Sequence, residues 1–385
     1  MTVSAAGRTR VLIVDDSAVM RSLLRSVVAS GDGLEVAGTA ADGAAALTAI
    51  ATERPDIVLL DVEMPVLDGL ATLRQLRAQN FKMPVIMCSS LTQRGAAVTI
   101  EALASGASDY VAKEPSLAGR GEALRTLARD LLPKIYALTR TPGAASAQHP
   151  PAFSVGPPSN PALSAAQHLP FVPPALPPPA IVAIGVSTGG PSALDALLSG
   201  LPADFPLPIL VVQHMPEVFT RLFADRLARS CRLHACEASE SAPVTPGTIY
   251  IARGNWHMEV VASARSGIPP TLHLNQEPPE NHCRPSVDAL FRSVAKVYGS
   301  AVLAVVLTGM GYDGLAGARV IRAQGGSVLV QDQATSTIWG MPGAIAQAGL
   351  AHKVLPLAAI APEIIRMAAR SSAAFDSRTL TRMVI

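Results

Sequence analysis

Between residues 141 and 180, twelve of forty positions are proline, mixed with Ala, Ser and Gln. Proline fixes φ and offers no backbone N–H, so such a run sustains neither a helix nor a sheet ladder. It reads as an extended, semi-rigid spacer that splits the chain. At 385 residues the chain is too long for one ordinary domain, and the spacer says where to divide it. The expected units are 9–132 and 180–370, with 133–179 as linker and 371–385 as a C-terminal tail. Aromatics are only 4% of residues against 49% apolar, so both cores must be built from Ala, Val, Leu and Ile.

Several function classes drop out on composition. A formal charge of +2 without a Lys/Arg run gives no footprint for nucleic acid. No apolar stretch is long enough to span a bilayer, and MTVSAAGRTR lacks the apolar segment of an export signal. Cys88, Cys231, Cys236 and Cys283 form no C-x-x-C pair, which fits reduced thiols and a cytoplasmic location. The Cys231-x-x-His234-x-Cys236 cluster lacks zinc-ligand spacing and a fourth partner.

In the first unit, short apolar runs alternate with amphipathic stretches such as Ala18–Ala29 and Gly95–Ser105. The runs are Val11–Asp15, Leu34–Ala40, Asp56–Asp61, Pro84–Ser89 and Asp109–Lys113. Five such repeats predict a parallel sheet covered on both faces. Asp15 and Asp16 close the first strand and Asp61 the third. Carboxylates converging at the carboxyl rim of an open sheet repel one another, and Mg²⁺ relieves that repulsion. Ser89 and Lys113 end the fourth and fifth strands, where a hydroxyl and an ammonium suit phosphoryl oxygens. Taken singly, each Asp is equally a helix cap.

The segments VLIVDDSAVMRSLL, LLDVEMPVLDGL, PVIMCSS and GASDYVAK resemble the receiver domain of two-component response regulators over about 10–132. The resemblance implies a five-stranded flavodoxin-like fold with Asp61 phosphorylated by a histidine kinase. It also implies Mg²⁺ held by Asp15, Asp16 and Asp61, and Ser89, Tyr110 and Lys113 as switch and phosphate-contact residues. One departure is Glu114, standing between Lys113 and Pro115 where the family has proline directly after the lysine.

The second unit begins in the same way, with Ile181–Ser187, Pro208–His214 and Leu233–Ala238 as strands. Thr248–Ala252 and His257–Val261, separated by Gly254 and Asn255, read as a hairpin added to an α/β core. A helix over Val287–Tyr298, a strand over Ala301–Thr308 and another over Ser327–Gln331 complete a mostly parallel, doubly wound sheet. Ser187, in Gly185-Val186-Ser187-Thr188-Gly189-Gly190, sits where a strand turns into a helix whose free N–H groups face developing negative charge. This is not G-x-S-x-G, so an ordinary α/β-hydrolase is not claimed. Alone, the serine is equally a cap or a phosphate-binding turn. His214 ends the next strand and suits a general base. Asp313, in a glycine-rich turn after a third strand, is placed to orient that imidazole, with the N–H of Met310 or of a neighbouring glycine as an oxyanion donor. Ser187, His214 and Asp313 together form a candidate triad. Cys283 beside His282 is a weaker thiol candidate, and His257 reads as a pocket wall.

IGVSTGG, VVQHM, GTIYIARGNWHMEV, CRPSVDALFRSVA, LTGMGYDG and QDQATSTIWGMP resemble the catalytic domain of protein-glutamate methylesterases, the CheB family, over about 180–370. The resemblance implies a phosphorylation-regulated serine hydrolase, needing no cofactor for the ester reaction. Its implied substrates are the methyl esters of receptor glutamates and specific receptor glutamines, on methyl-accepting chemoreceptors. Ser187, His214 and Asp313 fall on the nucleophile, base and orienting acid, and Thr188 and Met310 match residues lining the family's active site; Gly189 and His257 are the further pocket candidates. Val186 and Arg253 stand where the family usually has Ala and Pro. Two other readings stay open: a binding module with a degenerate hydrolase site, and an esterase for a different cellular ester.

Overall fold

The structure is a computed structural model and describes residues 7–113, 120–139, 177–265 and 267–382. Its first half alternates β1 (Thr9–Val14), α1 (Ala18–Ser30), β2 (Leu34–Ala40), α2 (Gly43–Glu53), β3 (Ile57–Asp61) and α3 (Gly69–Ala78), then β4 (Val85–Ser90), α4 (Gln93–Ala104), β5 (Asp109–Lys113) and α5 (Arg120–Thr139). The strands lie in the order β2-β1-β3-β4-β5, all parallel, as the unbroken apolar runs require. β3 is buried along its whole length.

The expected linker start at 133 is corrected by α5, which carries on through Pro133 to Thr139. A proline inside a helix costs about 3 kcal/mol. Leu131 and Ile135 are fully buried on either side of it, and two such side chains contribute about 1.5–3 kcal/mol each. Packing wins over propensity here. Most of the proline-rich spacer, like Glu114 and Pro115, lies outside the described residues.

The second half holds β6 (Ile181–Val186), α6 (Gly190–Ser199), β7 (Ile209–Gln213), α7 (Glu217–Ser230), β8 (His234–Glu237), β9 (Thr248–Ile251), β10 (His257–Val261) and β11 (Thr271–Asn275). It continues with α8 (Val287–Tyr298), β12 (Val302–Val306), α9 (Leu315–Ala323), β13 (Ser327–Gln331), α10 (Met341–Gln347), β14 (Lys353–Leu355) and α11 (Leu357–Arg382). Seven strands form one parallel sheet ordered β14-β13-β12-β6-β7-β9-β8. Residues 371–382, expected as a tail, continue α11.

The expected hairpin exists with different partners. β9 pairs in parallel with β7 and β8, whereas β10 pairs antiparallel with β11 as a separate ribbon. Gly254 follows β9 so tightly against α7 that a Cβ there would lie 2.2 Å from the Glu217 nitrogen. The chain therefore leaves the sheet at that point, and β10 finds the alternating run TLHLN instead.

The halves are packed together. α4 lies against α6 and α7, and one continuous apolar cluster joins Leu103 and Tyr110 to Leu194 and Phe219. Among the described residues, no helix is long and apolar enough to cross a membrane.

Candidate functional site

In each sheet the order of strands reverses beside the first strand of its unit, β1 or β6, and the carboxyl ends there border an open crevice. At the N-terminal crevice, ligand atoms of Asp15, Asp16 and Asp61 lie within 4.8 Å of one another. The Lys113 ammonium is 2.6 Å from both Asp15 Oδ2 and Asp61 Oδ1. Asp15 Oδ2 is buried and makes no well-angled hydrogen bond. Oxygen donors short of partners at this spacing fit a hard divalent cation. Burial raises the Asp61 pKa above the ordinary carboxylate value, against the lowering effect of Lys113. Asp61 Oδ1 also accepts from the Val62 N–H at 2.7 Å, while Oδ2 has no hydrogen bond among the described residues. Ser89 is buried at the next strand end and donates to its neighbour Ser90 O.

At the C-terminal crevice the backbone brings three strand ends together. The Ser187 N–H donates to Thr308 O, and the His214 N–H to Val186 O. His214 Nε2 lies 2.8 Å from Asp313 Oδ2. Asp313 is then fixed from behind. Its Oδ1 accepts from Ser286 Oγ, Asn281 Nδ2 and the Gly314 and Asp288 N–H groups, and its Oδ2 from the Val287 N–H. Ser286 caps α8, so the Asp313 carboxylate sits on a helix N-terminus, where free N–H groups favour negative charge. Burial opposes that charge, yet His214 and these donors hold Asp313 well below the usual carboxylate range.

The Ser187 hydroxyl makes no hydrogen bond to His214 among the described residues. Nδ1, the ring nitrogen left over by Asp313, faces Cys283 Sγ at 3.6 Å instead. Burial disfavours a charged imidazole, but Cys283 and Asp313 outweigh it and raise His214 to about 10. Cys283, weighed from sequence only as a weaker thiol candidate, thus lies against the His214 ring. The loop at Glu280–Cys283 closes on itself with paired main-chain bonds and turns the thiol inward.

Around Ser187, the Thr188, Gly189 and Met310 N–H groups have no acceptor among the described residues, as oxyanion donors require. Gly309 is what lets the Met310 peptide come near: a Cβ on it would lie 2.9 Å from Ser187 Cβ. Gly189 takes φ 76° as the N-cap of α6, a conformation that suits glycine. His257 departs from its expected place as a pocket wall. It is 2% exposed, with Nδ1 accepting from the Ser286 N–H and Nε2 facing Pro278 O, so it props up the α8 cap.

The two units meet at the start of β5, the strand whose carboxyl end carries Lys113. Asp109 Oδ2 accepts from Thr188 Oγ1 at 2.7 Å, one residue from Ser187, and lies 2.9 Å from Lys134 Nζ. Tyr110 stacks on Phe219 of α7 at 4.7 Å, with Lys134 above its ring. Ser192 Oγ donates to Leu103 O. Thr188 is thus buried under the N-terminal unit. Arg253 pairs with Glu217 and lies over Trp256, away from the crevice.

Sequence reasoning missed Asn281, Ser286 and Asp288, and weighed Cys283 only as a rival nucleophile. Ser286 carried a legible signal, a serine just before a helical run. Asp288 is buried, which raises it to about 6, and Asn281 bridges it to Asp313. Asn281 and Cys283 sit in a loop and offered no local pattern.

Residues 182–364 match the family model for CheB methylesterase, and 11–119 match the response regulator receiver domain. A protein-glutamate methylesterase/protein-glutamine glutaminase of Nocardioides sp. is 49% identical over 94% of this chain and 96% of its own length. A relative of the same name from Trichodesmium erythraeum is 46% identical over 93% of this chain and 98% of its own. The CheB methylesterase catalytic domain of Thermotoga maritima is 40% identical, covering 49% of this chain and 98% of that one with TM-score 0.48.

Proposed function

The chain belongs to the CheB methylesterase family, and from that premise we propose that it is a phosphorylation-regulated serine hydrolase of chemoreceptor glutamate methyl esters and specific glutamines. The observation that carries the reading is the His214–Asp313 pair, held at a strand end beside Ser187 and braced by a helix N-terminus. Ser187 attacks the γ-carbonyl of a methylated glutamate, and His214 Nδ1 takes its proton. Asp313 stabilises the imidazolium that forms. The Thr188, Gly189 and Met310 amides receive the oxyanion. Methanol leaves with a proton from His214, and water releases the acyl group by the same steps. A glutamine substrate gives ammonia in place of methanol. In the docked arrangement the thiol faces Nδ1, and the Ser187–His214 hydrogen bond that proton transfer needs has still to form.

Control belongs to the N-terminal unit. Asp61 Oδ2 is free to accept a phosphoryl group from a histidine kinase, and Lys113 faces its oxygens. Asp15, Asp16 and Asp61 would hold Mg²⁺, which supplies neutralising charge when bound. The Thr188–Asp109 bond covers the crevice in the resting chain. A hydrogen bond to a charged group contributes about 1.5–3 kcal/mol, and an aromatic pair about 0.5–1.5 kcal/mol beyond burial. Nearly complete switching needs about 5.5 kcal/mol, so phosphorylation that breaks both contacts accounts for much of it. A cytoplasmic location follows from this partner set, and the units 9–132 and 180–370 are the natural boundaries for testing it.

The experiment is methanol release from methylated receptor membranes, with and without a small-molecule phosphodonor. Release that rises with the donor and vanishes in Ser187→Ala supports the reading. Undiminished release by Ser187→Ala overturns it.

A further inference from the structure

Among the described residues, two groups of side chains have the spacing of metal ligands: the three aspartates of the N-terminal crevice, and His214 with Cys283 and Asp313. The second group has no part in the hydrolase reading as a metal site. We propose that His214 and Cys283 bind a soft divalent ion, zinc above all, and that occupancy silences the hydrolase centre.

The geometry is that of a zinc edge. Zinc binds imidazole nitrogen at about 2.0–2.1 Å and thiolate sulfur at about 2.3 Å, so a tetrahedral angle sets those donors about 3.6 Å apart. Nδ1 and Sγ are 3.6 Å apart. The far side of the ring is equally suited. A metal-binding histidine characteristically gives its other N–H to a carboxylate, which fixes its tautomer. Here Nε2 meets Asp313 Oδ2 at 2.8 Å, and that carboxylate is itself tied to α8 and Asn281. Asp313 therefore acts as the outer partner, leaving His214 and Cys283 as ligands and water or the Ser187 hydroxyl to complete the shell. Two protein ligands suit reversible occupancy better than a permanent structural site.

Binding needs no redox step. The Cys283 thiol and the His214 imidazolium each lose a proton to solvent, the freed Nδ1 lone pair and the thiolate form bonds to the ion, and a chelator with reprotonation reverses both. The cost to catalysis follows from the same atom. Nδ1 is the only ring nitrogen not held by Asp313, so an ion on it leaves Ser187 without a base. The two crevices also divide metals by chemistry: an oxygen-only set for Mg²⁺, a nitrogen–sulfur set for zinc.

The inhibitory half of this proposal rests on the hydrolase reading, whereas the binding half does not. The reduced full-length chain is dialysed against zinc with excess Mg²⁺ present to occupy the aspartates. Cobalt is substituted to look for a thiolate charge-transfer band, and ester hydrolysis is followed in parallel. The expected result is one zinc per chain, a cobalt–thiolate band, hydrolysis lost on loading and restored by chelator. Cys283→Ala and Cys283→Ser should each lose that equivalent and the band. Relative to its own metal-free rate, each should need at least about tenfold more zinc for half-inhibition. Zinc binding and inhibition unchanged in both variants overturns the proposal, as does absence of bound zinc in the parent chain. A metal-free chain without hydrolysis would count against the hydrolase reading alone, because dialysis and the cobalt band still report on the site.

Discussion

The two halves of the molecule each set an aspartate at the carboxyl rim of a parallel sheet and then treat it in opposite ways. Asp313 spends both oxygens on six hydrogen bonds, to Ser286, Asn281, Gly314, Asp288, Val287 and His214. Asp61 keeps Oδ2 unengaged among the described residues, and burial leaves its pKa raised rather than lowered. A carboxylate that orients a base must not move or react, whereas one that accepts a phosphoryl group needs an oxygen to offer. The same residue type on the same kind of edge acquires either role from its donors alone.

Substitutions at these two positions should break or sharpen that contrast. The largest effect is expected at the proposed nucleophile beside Asp313: Ser187→Ala should cut receptor demethylation by roughly 10⁶-fold while leaving the circular dichroism spectrum intact. Asp313→Asn keeps the shape but favours the wrong His214 tautomer, and should lower kcat by roughly 10⁴-fold. Asp61→Asn is the converse. It should leave the basal rate in place and abolish stimulation by a phosphodonor, whereas a fall in basal rate would show that Asp61 supports the hydrolase directly. Asp109→Ala removes the acceptor from Thr188, and a bond of about 1.5 kcal/mol implies a basal rate roughly tenfold higher without phosphate. An unchanged rate would remove this bond from the inhibitory contact.

The smallest effect concerns pH. His214 stands at about 10 against an ordinary 6.5. A raised pKa means that pairing of the imidazolium stabilises the fold fully below about pH 6.5, and that this contribution fades as pH climbs towards 10. Catalysis runs the other way, because the base must be neutral. The pH profile of kcat/KM should rise on an alkaline limb, and Cys283→Ala should move that limb to lower pH. An unmoved limb would separate the thiol from the base.

How much of this could be read from the residues depended on where each lay. Ser187, His214 and Asp313 follow unbroken apolar strands, so the order of strands alone brings them to one rim, and Asp15, Asp61 and Lys113 do likewise. The partners of β10 were not legible. Its extended pattern is satisfied equally by β9 or β11, and the departure of the chain at Gly254 depends on the distant backbone of Glu217. Pro133 misled because its cost is local while the burial of Leu131 and Ile135 is tertiary. Cys283 and Asn281 reach the site from a loop, where no periodicity marks direction. Asp109 looked like one more strand residue, and only the packing of the halves reveals its bond to Thr188.

The central claim is that the N-terminal unit governs access to Ser187. The direct measurement is the rate at which a fluorophosphonate probe labels Ser187 in the full chain, read by peptide mass spectrometry, with and without a phosphodonor. The account predicts faster labelling with the donor, and donor-independent fast labelling in Asp109→Ala. Equal rates in all of these states, or a label on another residue, would contradict it.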